Sequence, residues 1–137
     1  MSIRISVPGR TELAGNHTDH QGGHVLAAAI DRFLTAEAEP QAGAAMVISA
    51  GFPAFSVSLR ELDAARSTPG TPAALLRGVL DYLRREGWPV GGFRAEIVSD
   101  LPAGAGLSSS AAFCFSLTSV KVRIAVAGAP SASRMME

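Results

Sequence analysis

Ile3, Ile5 and Val7 are separated by Arg4 and Ser6, the two-residue period of a half-buried strand, and Pro8-Gly9 predicts its end. From Val25 to Ala38 the chain is apolar and tolerant of extended backbone, which predicts a second strand, although Ala27, Ala28 and Ala29 also fit a helix. Met46, Val47 and Ile48, then Phe55, Val57 and Leu59, predict two further strands around the turn Ala50-Gly51-Phe52-Pro53. Leu75, Leu76, Val79, Leu80 and Leu83 recur at helical spacing between Thr71-Pro72, an N-cap followed by a first helical position, and a stop at Gly87. Phe93, Ala95, Ile97 and Ser99 alternate with Arg94, Glu96, Val98 and Asp100, a last clear strand. Val120, Val122, Ile124 and Val126 alternate with Lys121 and Arg123 near the end, again a strand period. The small polar residues after them predict a disordered tail.

These elements fill one domain: a chain of 137 residues buries roughly two-thirds of its unfolded surface. Lys plus Arg and Asp plus Glu are both 12, so no basic footprint for nucleic acid exists. Any bound anion must be held locally. Cys114 is the only cysteine, which excludes an internal disulfide and suits a reducing compartment. No secretory leader pattern opens the chain, and no apolar run approaches the roughly 18 residues of a membrane span. The expectation is a cytoplasmic protein with no membrane or nucleic-acid partner, monomeric if folded.

Two stretches depart from what a core needs. "GRTELAGNHTDHQGGH" crowds Arg10, Asn16, His17, Asp19, His20 and His24 onto a glycine-rich frame. His20 and His24 have the spacing of helical zinc ligands, but Gly22-Gly23 between them argues against a helix. Arg10 has a plain alternative, an ion pair with Glu12. "LPAGAGLSSSAAF" places Gly104 and Gly106 between a strand and Ser108, Ser109 and Ser110. Glycines let backbone approach a ligand closely, and a helix starting here would aim unsatisfied amides at a phosphate. The same residues also make an ordinary glycine-rich turn with serine caps. Gly87-Trp88-Pro89 reads as a helix stop packed by an aromatic ring, or as an indole able to stack on a base.

Taken together, "PGRTELAGNHTDHQGG" resembles the N-terminal signature of galactokinases, and "LPAGAGLSSSAA" resembles the phosphate loop shared by galactokinases, homoserine kinases, mevalonate kinases and phosphomevalonate kinases. The resemblance covers about residues 3 to 113. It implies an α+β fold, a mixed β-sheet with helices packed on one face, like the superfamily's N-terminal domain (the ribosomal protein S5 domain 2-like fold). It further implies transfer of the ATP γ-phosphoryl to the C1 hydroxyl of galactose, with ATP and Mg2+ required. By the same resemblance Arg10 stands beside the reacting groups, and Asn16, His17 and Asp19 bind the sugar. The commonest family pattern has glutamate where Asn16 stands, which keeps an acceptor but loses a charge. Gly104, Ala105, Gly106, Leu107, Ser108, Ser109 and Ser110 cradle the phosphates, and Ser110 meets the magnesium ion.

Relatives continue the serine run into an amphipathic helix, and their catalytic aspartate and second domain lie downstream. The strand period after residue 116 therefore sets the expected division: an incomplete galactokinase-like domain over 1–116 and a divergent, non-native or disordered tail over 117–137. The chain is expected to be a truncated galactokinase, inactive alone. The alternatives are a non-catalytic galactose and ATP sensor, and a kinase of a related sugar such as N-acetylgalactosamine.

Overall fold

The computed structural model of the protein describes residues 2–15, 22–50, 52–63, 67–102 and 109–128. Five strands are present among them: β1 (Ile3–Ala14), β2 (Leu26–Pro40), β3 (Ala44–Ser49), β4 (Phe52–Ser58) and β5 (Phe93–Ser99). The helices are α1 (Pro72–Arg85) and α2 (Ser109–Gly128). The sheet order is β1-β2-β5-β3-β4, with β3 parallel to β5 and every other neighbouring pair antiparallel. The fold is α+β, as expected.

Register follows from the apolar alternation. Ile5 pairs with Ala36 and Ala36 with Ile97; one step along, Ala38 pairs with Ala95 and Ala95 with Val47. These rows share one face and one core with Leu76 and Leu80 of α1 and with Ala112, Leu117 and Val120 of α2, so both helices cover that face. A one-residue slip of any strand would turn its apolar set to solvent. The opposite face carries the polar partners in the same register. Arg4 meets Glu37 at 3.5 Å, Arg94 meets Glu39 at 3.8 Å, and the Ser6 and Thr35 hydroxyls lie 2.9 Å apart. Such exposed pairs contribute about 0–1 kcal/mol each, so the buried face decides the pairing.

Helix α1 forms where its caps allow. The Thr71 hydroxyl accepts from the Ala74 amide at 3.2 Å, Pro72 fills the first turn, and Leu76, Leu80 and Leu83 form its buried stripe. At the far end the Trp88 amide donates to the Leu83 carbonyl at 2.9 Å and the Gly87 amide to Arg84 at 3.1 Å. With Gly87 at φ +80°, this is a Schellman ending. Trp88 thus belongs to a helix stop and is partly exposed.

Two expectations change. β1 does not stop at Pro8-Gly9 but runs on to Ala14. Its register shifts between Pro8, opposite Phe33, and Arg10, opposite Ala29, so a bulge absorbs the break. Proline is tolerated because β1 is an edge strand whose outward amide needs no ladder partner. The strand expected over 120–126 is instead the second half of α2. The alternation of Val120, Val122, Ile124 and Val126 is outweighed by a helical stripe: Phe113, Leu117, Val120 and Ile124 recur at i, i+4, i+7 and i+11 and all pack on the core. The expected division at residue 116 falls inside this helix.

Candidate functional site

The last rung shared by three strands is Val7, Leu34 and Ser99. Beyond it β1 and β2 continue alone as a two-stranded ribbon, with Arg10 opposite Ala29, Glu12 opposite Ala27 and Ala14 opposite Leu26. β5 ends at the foot of this ribbon, where the Asp100 amide donates to the Phe33 carbonyl at 2.9 Å and Leu101 is buried. α2 starts at Ser109 and returns antiparallel to β5, because Lys121 reaches Gly91, just before β5 begins. The ribbon and the N-terminus of α2 therefore stand at the same end of the sheet. This juxtaposes the two motif-bearing stretches, which are separated by some eighty residues in sequence.

Arg10 lies on the ribbon just past the bulge, half exposed, with its guanidinium 3.6 Å from the Glu12 carboxylate. The plain alternative for Arg10, pairing with Glu12, is thus realised. An exposed pair of this length leaves the guanidinium free to reorient toward a stronger anion. Asn16, His17 and Asp19 lie outside the described residues, as do Gly104, Ala105, Gly106, Leu107 and Ser108. Ser109 and Ser110 are the first residues of α2, with no acidic residue in its first turn. The opening amides of that helix have no carboxylate of their own turn to satisfy them, which suits a phosphate.

Gly15 closes the ribbon at its outer end. It adopts φ +90°, and a Cβ there would run into the His24 carbonyl oxygen and lie 3.1 Å from the Val25 Cα. Gly15 is not among the candidate residues named from sequence; its signal there is a glycine placed directly before the polar cluster. Leu13 and Leu26 are exposed on the same ribbon. Cys114 is half-buried on α2, and burial pushes its thiol above the ordinary range, which disfavours the thiolate. Among the described residues no three His, Cys, Asp or Glu side chains come close enough to hold a metal. No helix among them is long and apolar enough to cross a membrane.

Comparison with known proteins gives the following. Residues 2–40 match the model of the galactokinase galactose-binding signature, and residues 74–127 match that of the GHMP kinases N terminal domain. The chain is 38% identical over 111 residues to a galactokinase of Thermococcus kodakarensis, covering 81% of this chain and 31% of that protein. A galactokinase of Pyrococcus furiosus is 36% identical over 111 residues, 81% of this chain and 30% of the relative. The fold superimposes on the crystal structure of Lactococcus lactis galactokinase complexed with galactose with a TM-score of 0.76 at 27% identity, over 85% of this chain and 31% of that one. The chain spans about a third of the length of these relatives.

Proposed function

From the chain's membership of the galactokinase family, as its N-terminal part, we propose that it supplies the sugar-binding and phosphate-binding half of a kinase transferring the ATP γ-phosphoryl to the C1 hydroxyl of galactose. The observation that carries this reading is the convergence of the β1–β2 ribbon and the N-terminus of α2 at one end of the sheet. A sugar held by the first would face a triphosphate held by the second.

The roles follow from the chemistry of each group. Asp19, an acceptor for two vicinal hydroxyls, does most to separate galactose from its epimers, with His17 and Asn16 completing the sugar contacts. The glycines Gly104 and Gly106 let backbone close on the phosphates while the opening amides of α2 donate to them. Arg10, released from Glu12, aims its donors at the transferring phosphoryl, where charge develops. The Ser110 side chain offers a hydroxyl oxygen, the donor type that suits magnesium; Ser110 would hold one position of that ion, whose chemistry is to neutralise phosphate charge. Catalysis of this kind is mostly positioning. The base for the C1 hydroxyl has no counterpart in the two motifs, and Asp19 is committed to the sugar. On this reading the two motifs bind and position the ligands, and the base that accepts the C1 proton lies outside them.

Calorimetric titration of the full chain with galactose, glucose, N-acetylgalactosamine and the ATP analogue AMPPNP tests this. Galactose and AMPPNP should each bind, and Asp19→Ala should abolish the preference for galactose over glucose. Equal affinity for all three sugars in the parent chain would overturn the sugar assignment.

A further inference from the structure

Lys121 is 2% exposed, and its Nζ donates to the Gly91 carbonyl at 2.9 Å. A buried ammonium persists only when hydrogen-bonded, and here the acceptor is itself held. A Cβ on neighbouring Gly92 would strike the carbonyl oxygens of Gln41 and Ala44, and the Gln41 amide donates to Gly92 at 3.1 Å. Residues 91 and 92 are thus wedged against the β2–β3 connection. Gly91 is tight as well, since a Cβ there would lie 3.3 Å from the Lys121 Nζ. Ser116 and Thr118, by contrast, spend their hydroxyls within α2, on the Phe113 and Cys114 carbonyls at 2.8 Å each.

The core contacts of α2 come from the apolar side chains of Ala112, Phe113, Leu117, Val120 and Ile124. Apolar contacts hold a helix onto a sheet but are non-directional, so they fix its position along its own axis weakly. A hydrogen bond between two rigid elements is directional. We infer that Lys121 is a positioning residue: it sets where α2 sits along β5 and, through a rigid helix about 18 Å long from residue 109 to 121, where the opening amides meet phosphate. This inference rests on the phosphate reading above for its consequence, and on the Lys121–Gly91 bond for its cause.

The test uses the full chain and three variants. Lys121→Met keeps length and packing but removes the donor; Val120→Ala weakens the same helix contact and leaves the donor in place. Lys121→Met should weaken AMPPNP binding about tenfold and leave galactose affinity within about twofold, whereas Val120→Ala should lower the unfolding midpoint with AMPPNP affinity within about twofold of the parent. Equal loss of AMPPNP affinity in both variants would reduce Lys121 to a structural residue and overturn the inference. Amide chemical shifts give a ligand-free readout that separates this inference from the phosphate reading. Displacement of the Ala111 and Ala112 amides in Lys121→Met but not in Val120→Ala supports it even where AMPPNP fails to bind the parent chain. Displacement confined to one turn around residue 121 and to Gly91 overturns it. Should Lys121→Met fail to fold, Lys121→Leu, which also removes the donor that reaches the Gly91 carbonyl, must give the same pattern.

Discussion

The backbone of Gly15 lies against the His24 carbonyl so closely that no side-chain atom fits between them. Gly15 is also at φ +90°, a conformation that disfavours any L side chain. Gly22, at φ +72°, shares the conformation but has nothing within 4 Å of where a Cβ would stand. The two positions separate backbone strain from collision. Gly22→Ala should cost about 1 kcal/mol from the conformation alone, and Gly15→Ala should cost at least about twice that. Urea midpoints of the two variants decide it, and equal midpoints would mean that the ribbon end opens freely.

Helix α1 offers a cleaner measure of local sequence. Thr71 caps it through a single hydroxyl that accepts from Ala74 at 3.2 Å and donates to the Thr68 carbonyl at 2.8 Å. Thr71→Ala removes both bonds and should lower stability by about 1 kcal/mol, whereas Thr71→Ser should retain most of it. Loss of the same size in both variants would assign the effect to the threonine methyl group instead of the cap.

α1 was legible because everything that forms it is local: a cap, a proline, a leucine stripe and a glycine stop. β1, β4 and β5 were legible because each buries one side, so their alternation survives in the sequence, whereas β2 and β3 were read from apolar runs, with a helix left open over Ala27, Ala28 and Ala29. What failed was non-local. The extension of β1 past Pro8 depends on its lying at the sheet edge, which Pro8 and Gly9 do not announce. In α2 the pattern Val120, Val122, Ile124 fits a strand, and only the sheet waiting to cover Phe113, Leu117, Val120 and Ile124 selects the helix. Lys121 was hidden for the same reason, because a lysine in an alternating stretch looks solvent-facing until its acceptor, thirty residues away, is in view. The site was legible as two motifs, and their meeting at one sheet end came only with the strand order.

Two groups on α2 respond to alkaline pH with opposite signs. Burial lowers the Lys121 pKa from its ordinary 10.5, so in the interval below 10.5 the unfolded chain binds more protons, and this contribution to stability rises with pH. Burial raises the Cys114 pKa from 9.0. Its contribution is present below 9.0 and is lost as pH climbs through the raised value. Relative to Lys121→Met, the parent chain should therefore gain stability as pH approaches 10.5. Relative to Cys114→Ser it should lose stability above 9.0. Denaturant unfolding across that range checks both signs, and a parent-minus-Lys121→Met difference that falls with pH would contradict the burial of the ammonium.

Arg10 is where an ordinary surface pair and a catalytic role make different forecasts. The guanidinium is half exposed and 3.6 Å from Glu12, so as a surface pair it contributes at most about 1 kcal/mol, and its removal should change little else. In the proposed role Arg10 acts on the terminal phosphoryl, which AMPPNP carries and AMP does not. Arg10→Ala should then hold the unfolding midpoint within about 0.5 kcal/mol of the parent while weakening AMPPNP binding about five- to tenfold, with AMP affinity unchanged. Glu12→Gln, which frees the guanidinium from its partner, should shift AMPPNP affinity the other way by about twofold, an effect that fades as salt screens the charge. Parallel losses for AMPPNP and AMP in Arg10→Ala would place the arginine away from the γ-phosphoryl and leave its pair with Glu12 as its whole contribution.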